Sequence, residues 1–152
     1  MLSRRIEGYL QTIYELTAEK GYTRIKDIAE RLRVKPASVS EMMQKLADRG
    51  YVIYEKRLFV ALTEKGKKVA EDIRERREIL IKFLVTIGVP KDIAEKDACI
   101  IEHALHCETV NQLKNFVKFI ENSPEVDPKW LQHFREYCKT GIHPCSKSKV
   151  CN

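Results

Sequence analysis

Five side chains able to ligate a metal fall within nine consecutive residues, Cys99-Ile100-Ile101-Glu102-His103-Ala104-Leu105-His106-Cys107. If the segment is one helix, a turn of about 100° per residue puts Cys99, Glu102, His103 and His106 on one face, with Cys107 at its edge. Thiolate, carboxylate and imidazole on one side of a helix are the donors a transition metal needs. A lone histidine there would be an ordinary packed or solvated residue; the clustering is what points to a metal. A second group, Cys138, His143, Cys145 and Cys151, lies on an irregular C-terminal stretch containing Gly141 and Pro144. Its spacing matches no standard zinc finger or ferredoxin run. Thiolates from Cys138, Cys145 and Cys151, with a fourth ligand from His143, Cys107 or Cys99, would complete a Zn²⁺ or iron–sulfur site. The alternative is a loose tail with oxidisable thiols. No Gly-rich phosphate loop, GxSxG or HExxH occurs, and no nucleophile–base pair is indicated, so an enzyme is not expected.

The elements that would position these groups follow from apolar spacing. Ile6, Tyr9, Leu10, Ile13 and Leu16 mark an amphipathic helix ending near Gly21. Ile25, Ile28, Ala29 and Leu32 mark a two-turn helix. After a break at 33–36, Val39, Met42, Met43 and Leu46 mark a third, with Pro36 in its first turn and Gly50 at its end. Two short strand-like runs, Tyr51–Tyr54 and Phe59–Leu62, flank the basic tip Glu55-Lys56-Arg57-Leu58. This order predicts a winged helix-turn-helix. The polar face of the third helix offers Ala37, Ser38, Ser40, Glu41, Gln44 and Lys45 to a major groove, and Arg33, Lys35, Lys56 and Arg57 suit phosphates. A long helix over 63–88 and three more, over about 90–107, 109–121 and 128–139, complete a mainly α chain. The last is expected to start with Asp127 as cap and Pro128 in the first helical position.

Charge locates the partner. Of 152 residues, the first 70 hold 15 Lys and Arg against 9 Asp and Glu, whereas the remainder holds 13 of each, so the whole +6 excess lies in the first half. A polyanion would meet that half. No run of 18 apolar residues exists, so no membrane span is expected. The N-terminus opens directly into a helical pattern without an apolar signal run, so a cytoplasmic location is expected. The second half carries Phe116, Phe119, Ile120, Trp130, Leu131 and Phe134, more apolar surface than so short a chain can bury alone, which predicts a homodimer.

Several motifs in register resemble the diphtheria-toxin-repressor family, and within it the short manganese transport regulators without an SH3-like domain. They are Ile6-Glu7-Gly8-Tyr9-Leu10-Gln11-Thr12-Ile13-Tyr14-Glu15-Leu16, Asp27-Ile28-Ala29-Glu30-Arg31-Leu32, Ala37-Ser38-Val39-Ser40-Glu41-Met42 and Leu62-Thr63-Glu64-Lys65-Gly66. The resemblance runs from about residue 4 to 135. It implies a winged helix-turn-helix domain over 1–70, an all-helical dimerisation and metal-binding domain over 71–139, and a Cys-containing tail over 140–152. It further implies a metal-dependent repressor of metal-homeostasis genes, acting as a homodimer on a palindromic double-stranded DNA operator. Glu102 and His103 fall on the family's metal ligands, and Cys99 on a ligand that is Cys in iron-type members. Gly8, Gln11 and Arg77 occupy three other ligand positions and depart from the pattern. The surviving set is soft and favours Fe²⁺ over Mn²⁺. The resemblance places Lys35, Ala37, Ser38 and Glu41 near base edges and Ser40, Lys45, Lys56 and Arg57 near phosphates. An alternative is a constitutive or redox-responsive DNA-binding regulator whose cysteines hold structural Zn²⁺ or an iron–sulfur cluster.

Overall fold

A computed structural model describes residues 2–55, 59–125 and 127–147, arranged as two compact units, Met1–Arg77 and Glu78–Asn152. In the first unit, α1 (Arg4–Lys20) buries Tyr9, Leu10, Ile13 and Leu16 along one stripe. Gly21 closes it in the left-handed conformation (φ 79°), donating its N–H to the Thr17 carbonyl at 2.8 Å. The two-turn α2 (Ile25–Leu32) contributes Ile28 and Ala29 to the same core, and α3 (Pro36–Asp48) contributes Val39, Met43 and Leu46. Between them Arg33 takes a positive φ of 53°, a conformation costing a residue with a Cβ roughly 1–2 kcal/mol, and so makes the tight turn. Pro36 opens α3 in its first turn, as the sequence predicts.

The strands β1 (Val52–Glu55) and β2 (Phe59–Leu62) pair antiparallel, with Val52 opposite Leu62 and Glu55 opposite Phe59. This ribbon is anchored to the helices by one buried threonine. The Thr23 hydroxyl lies 2.8 Å from that of Thr17, and the Thr23 carbonyl accepts the Val60 N–H at 2.9 Å. Thr63 then starts α4 (Glu64–Thr86): its hydroxyl donates to the Gly50 carbonyl at 2.7 Å and accepts the Gly66 N–H at 3.1 Å. Gly66 passes so close to the Tyr51 carbonyl that a Cβ there would clash with its oxygen.

In the second unit, α5 (Lys91–Ile101), α6 (Cys107–Glu121) and α7 (Lys129–Thr140) follow the end of α4. Phe83 meets Phe116 edge-on with ring centres 5.8 Å apart, and Phe116 continues to Trp130 at 6.0 Å. Ala94, Ala98, Val117 and Leu131 are buried, whereas Ile100, Phe119, Trp130, Phe134 and Tyr137 remain exposed in the single chain.

Two sequence expectations are corrected here. The helix expected to run to about 107 stops at Ile101, where Ala104 N–H bonds the Ile101 carbonyl at 2.8 Å, and a new helix starts at Cys107. The apolar period continues through the break; the local stop comes from extended backbone at His106 (ψ 154°), with Glu108 favouring a fresh N-terminus. Pro128 is the N-cap of α7 rather than its first helical residue, with Asp127 held by Arg135 at 2.8 Å.

The fold predicts opposite outcomes for alanine at two glycines. Gly66→Ala must displace the Tyr51 backbone just before β1 and is expected to destabilise by about 1–3 kcal/mol, the range of overpacking. Gly8 lies inside α1 with nothing within 4 Å of a built Cβ, so Gly8→Ala should stabilise by about 0.5–1 kcal/mol. Chemical denaturation of both variants checks the pair. A second prediction concerns Asp27, which accepts a hydrogen bond from Lys20 at 2.7 Å and from the Arg24 N–H at 3.2 Å. The Lys20 ammonium first, then its charge and the backbone donor, hold this carboxyl below its ordinary range. A lowered carboxylate stabilises above its unfolded pKa, about 3.9, and the benefit is lost as pH falls through the native value. The melting-temperature advantage over Asp27→Asn should therefore be present at pH 7 and close below about pH 4.

Candidate nucleic-acid interface and metal-binding residues

The nucleic-acid candidates share α3 and its entry turn. Burying Val39, Met43 and Leu46 leaves Ala37, Glu41, Gln44 and Lys45 exposed, with Ser38 and Ser40 half-buried at the margin. Arg33 and Lys35 are exposed on the turn, Lys35 as the N-cap of α3. Gln44 is bound by its amide to Asp48 at 3.1 Å, so it is partly committed within the helix. This face has small and hydrogen-bonding groups in its middle and cations at its edges, a composition suited to base edges and phosphates. Lys56 and Arg57 lie outside the described residues. Sequence reasoning did not single out Arg24 or Lys65. Arg24 stacks over the exposed Tyr22 ring at 4.9 Å, and Lys65 over Tyr51 at 4.2 Å. Neither pairing has a periodic signature that would have revealed it.

Among the metal candidates, the break after Ile101 separates what the sequence placed on one helical face. Glu102 is the C-cap residue of α5, completely buried, its N–H bonded to the Ala98 carbonyl at 2.9 Å. His103 follows in the turn, with Nε2 3.2 Å from Glu102 Oε1 and its side chain nearly buried. Cys99, three residues before Glu102, is an exposed thiol. His106 is the exposed N-cap of α6, and Cys107 is its exposed first residue. The structure thus joins Glu102 to His103 and takes His106 and Cys107 into the next element. Among the described residues, no three His, Cys, Asp or Glu side chains are arranged to hold a metal ion.

The other implied ligand positions do not supply an oxygen-rich set. Gly8 has no side chain, its carbonyl instead accepting the Thr12 hydroxyl at 2.8 Å. Gln11 is a buried neutral amide. Arg77 cannot ligate a cation, and its Nη1 lies 3.5 Å from Glu15 Oε1. The donors therefore do not fit the manganese-type set; Glu102, His103 and Cys99 remain as a softer partial set.

At the C-terminal end, the short 3-10 turn Pro144–Lys147 follows α7. It brings Cys145 Sγ to 3.5 Å from His133 Nδ1, and the Cys145 N–H donates to His143 Nδ1 at 3.2 Å. His133 was not among the sequence candidates, because ten residues separate it from His143. Cys145 is disulfide-bonded, Cys138 is an exposed thiol, and Cys151 lies outside the described residues.

Comparisons with known proteins agree with this architecture. Residues 1–60 match the profile described as iron dependent repressor, N-terminal DNA binding domain, and residues 63–131 that of its metal binding and dimerisation domain. The transcriptional regulator MntR of Bacillus subtilis (strain 168) is 41% identical over 139 residues, covering 90% of this chain and 98% of its own. MntR of Lysinibacillus sphaericus (strain C3-41) is 40% identical over 124 residues, covering 82% and 89%. Among solved structures, a manganese-dependent transcriptional repressor in complex with manganese superposes with TM-score 0.66 at 29% identity, over 81% of this chain and 57% of that one. The hypothetical protein SSo2273 from Sulfolobus solfataricus gives 0.63 at 27%, over 76% and 89%. No described helix is long and apolar enough to cross a membrane. Both halves of the sequence match successive parts of one kind of protein, and the chain belongs to the iron-dependent repressor family, regulators that join a DNA-binding domain to a metal-binding and dimerisation domain.

Proposed function

We propose that the chain is a homodimeric transcriptional repressor of metal-homeostasis genes that reads a palindromic double-stranded operator. The observation that carries the reading is the exposed polar face of α3, fixed by a completely buried opposite stripe, within the half of the chain that holds all the excess positive charge. In this reading Lys35, Ala37, Ser38 and Glu41 approach base edges, and Ser40, Lys45, Lys56 and Arg57 approach phosphates. Exposed Ile100, Phe119 and Trp130 supply apolar surface for a second copy. Two related DNA-binding faces would then engage two half-sites one helical turn apart.

For the metal, Cys99, Glu102 and His103 are the proposed ligands; their side chains must be drawn together on binding, and His106 must also move with its loop to join them. A thiolate–imidazole–carboxylate set favours Fe²⁺ over Mn²⁺, which prefers oxygen donors. When bound, the metal would supply positive charge beside the buried Glu102. Cys138, Cys145 and Cys151 are proposed as a separate thiol group able to hold Zn²⁺ or an iron–sulfur cluster when reduced.

These assignments separate by measurement. Lys45→Ala should weaken binding to all duplexes alike and lower the slope of log affinity against log salt by about one. Glu41→Gln should instead change preference at one base position by about 1–3 kcal/mol, leaving the salt slope unaltered. Affinity titrations across salt, on duplexes enriched from a random pool, test both. Elemental analysis after anaerobic loading with equal Fe²⁺ and Mn²⁺ should find iron in excess. His103→Ala should lose most of it, an expected 10–100-fold fall in affinity if His103 is a true ligand or its direct support.

A further inference from the structure

Arg77 lies on α4 at a position where the family resemblance implies an imidazole ligand, and the structure shows what it does instead. Its guanidinium is 3.5 Å from Oε1 of Glu15 on α1. The other Glu15 oxygen lies 3.7 Å from Nη1 of Arg31, and Nη2 of the same arginine donates to Glu19 at 2.6 Å. One carboxylate of α1 is thus shared between a cation on α4 and a cation on α2, the helix that precedes α3. Ion pairs joined in this way hold geometry better than isolated surface pairs, because each side chain is already restricted by its neighbour. A guanidinium stays protonated at all relevant pH, offers no lone pair and repels a nearby divalent ion. Gly8 and Gln11 on α1 remove donors from the same implied set.

We infer that Arg77, tied to Glu15, serves this chain as a built-in cation where α4 meets α1, so that sequence-specific DNA binding persists without manganese. The inference rests on the repressor reading for its output. It deepens that reading by moving the positive charge from a dissociable ion to a side chain. Arg77 is a positioning residue, since it acts through Glu15 and Arg31 on the elements that hold α3.

The test uses the full chain, freed of metal by chelation and verified by elemental analysis. Duplexes are enriched from a random-sequence pool without metal, with Mn²⁺ and, anaerobically, with Fe²⁺. The expected result is the same enriched sequence in all three, bound with affinities within a few-fold. Arg77→Met should lose on the order of tenfold in metal-free specific affinity, while Arg77→Lys keeps most of it, a coupling of ordinary size. Melting temperature and dimer content of each variant separate this from misfolding. A second variant, Gly8→Asp with Gln11→Glu and Arg77→His, removes the fixed cation and returns donors; a Cβ at Gly8 meets nothing within 4 Å. It should bind specifically only when Mn²⁺ is added. If the metal-free wild-type chain shows no sequence preference and Mn²⁺ or Fe²⁺ restores one, the inference is overturned while the repressor reading stands. If no duplex is enriched under any of the three conditions, both fall.

Discussion

Leu10, Ile13 and Leu16 on α1, wholly withdrawn from water against Ile28, Val39, Met43 and Leu46, decide which side of α3 is left outside. Each such side chain is worth roughly 1.5–3 kcal/mol on burial, so rotating α3 to expose a different face would forfeit several at once. The polar residues between the buried positions are consequently presented on a rigid surface rather than a loop. Thr23 extends the same constraint to the ribbon, since its hydroxyl belongs to the helical core and its carbonyl to the edge of β2. Recognition chemistry and core packing are two faces of one helix.

The DNA-binding unit was legible in the sequence because every element carries its own punctuation. The stripe of α1 ends at Gly21, α3 begins at Pro36, and the ribbon alternates in a way the helices do not. The second unit was less legible at its most interesting point. From Ala98 to Leu105 the residue types give no reason for the helix to stop, and the sequence reading carried it through. The stop is made by the tight bond from Ala104 to Ile101 and the extended backbone at His106. A ligand face drawn on a continuous helix therefore contained His106 one element too early. The Cys145–His133 approach was invisible for a different reason: a reversal of the chain after Gly141 creates it.

Electrostatics divides the molecule as packing does. The first half carries the excess cations, and its internal ion pairs at Lys20–Asp27, Arg31–Glu19 and Arg77–Glu15 consume few of them on the α3 side. Arg33, Lys35 and Lys45 stay in solvent around the polar face. The carboxylate of Glu41 stands among them and tempers a field that would otherwise favour any phosphate. The buried Glu102 beside His103 is the counterpart in the second unit, a carboxyl group taken out of water with an imidazole nitrogen 3.2 Å away.

The most direct test of the central claim, that paired α3 faces of a dimer read two half-sites, is a hydroxyl-radical footprint on the duplex enriched by the full chain. A dimer reading two half-sites gives two symmetric protected segments whose centres lie about one helical turn, 10–10.5 base pairs, apart or a multiple of that. Protection should shift to uniform coverage when Ala37 and Glu41 are replaced by bulky residues. A single unsymmetrical protected segment, or protection that ignores those substitutions, would contradict it.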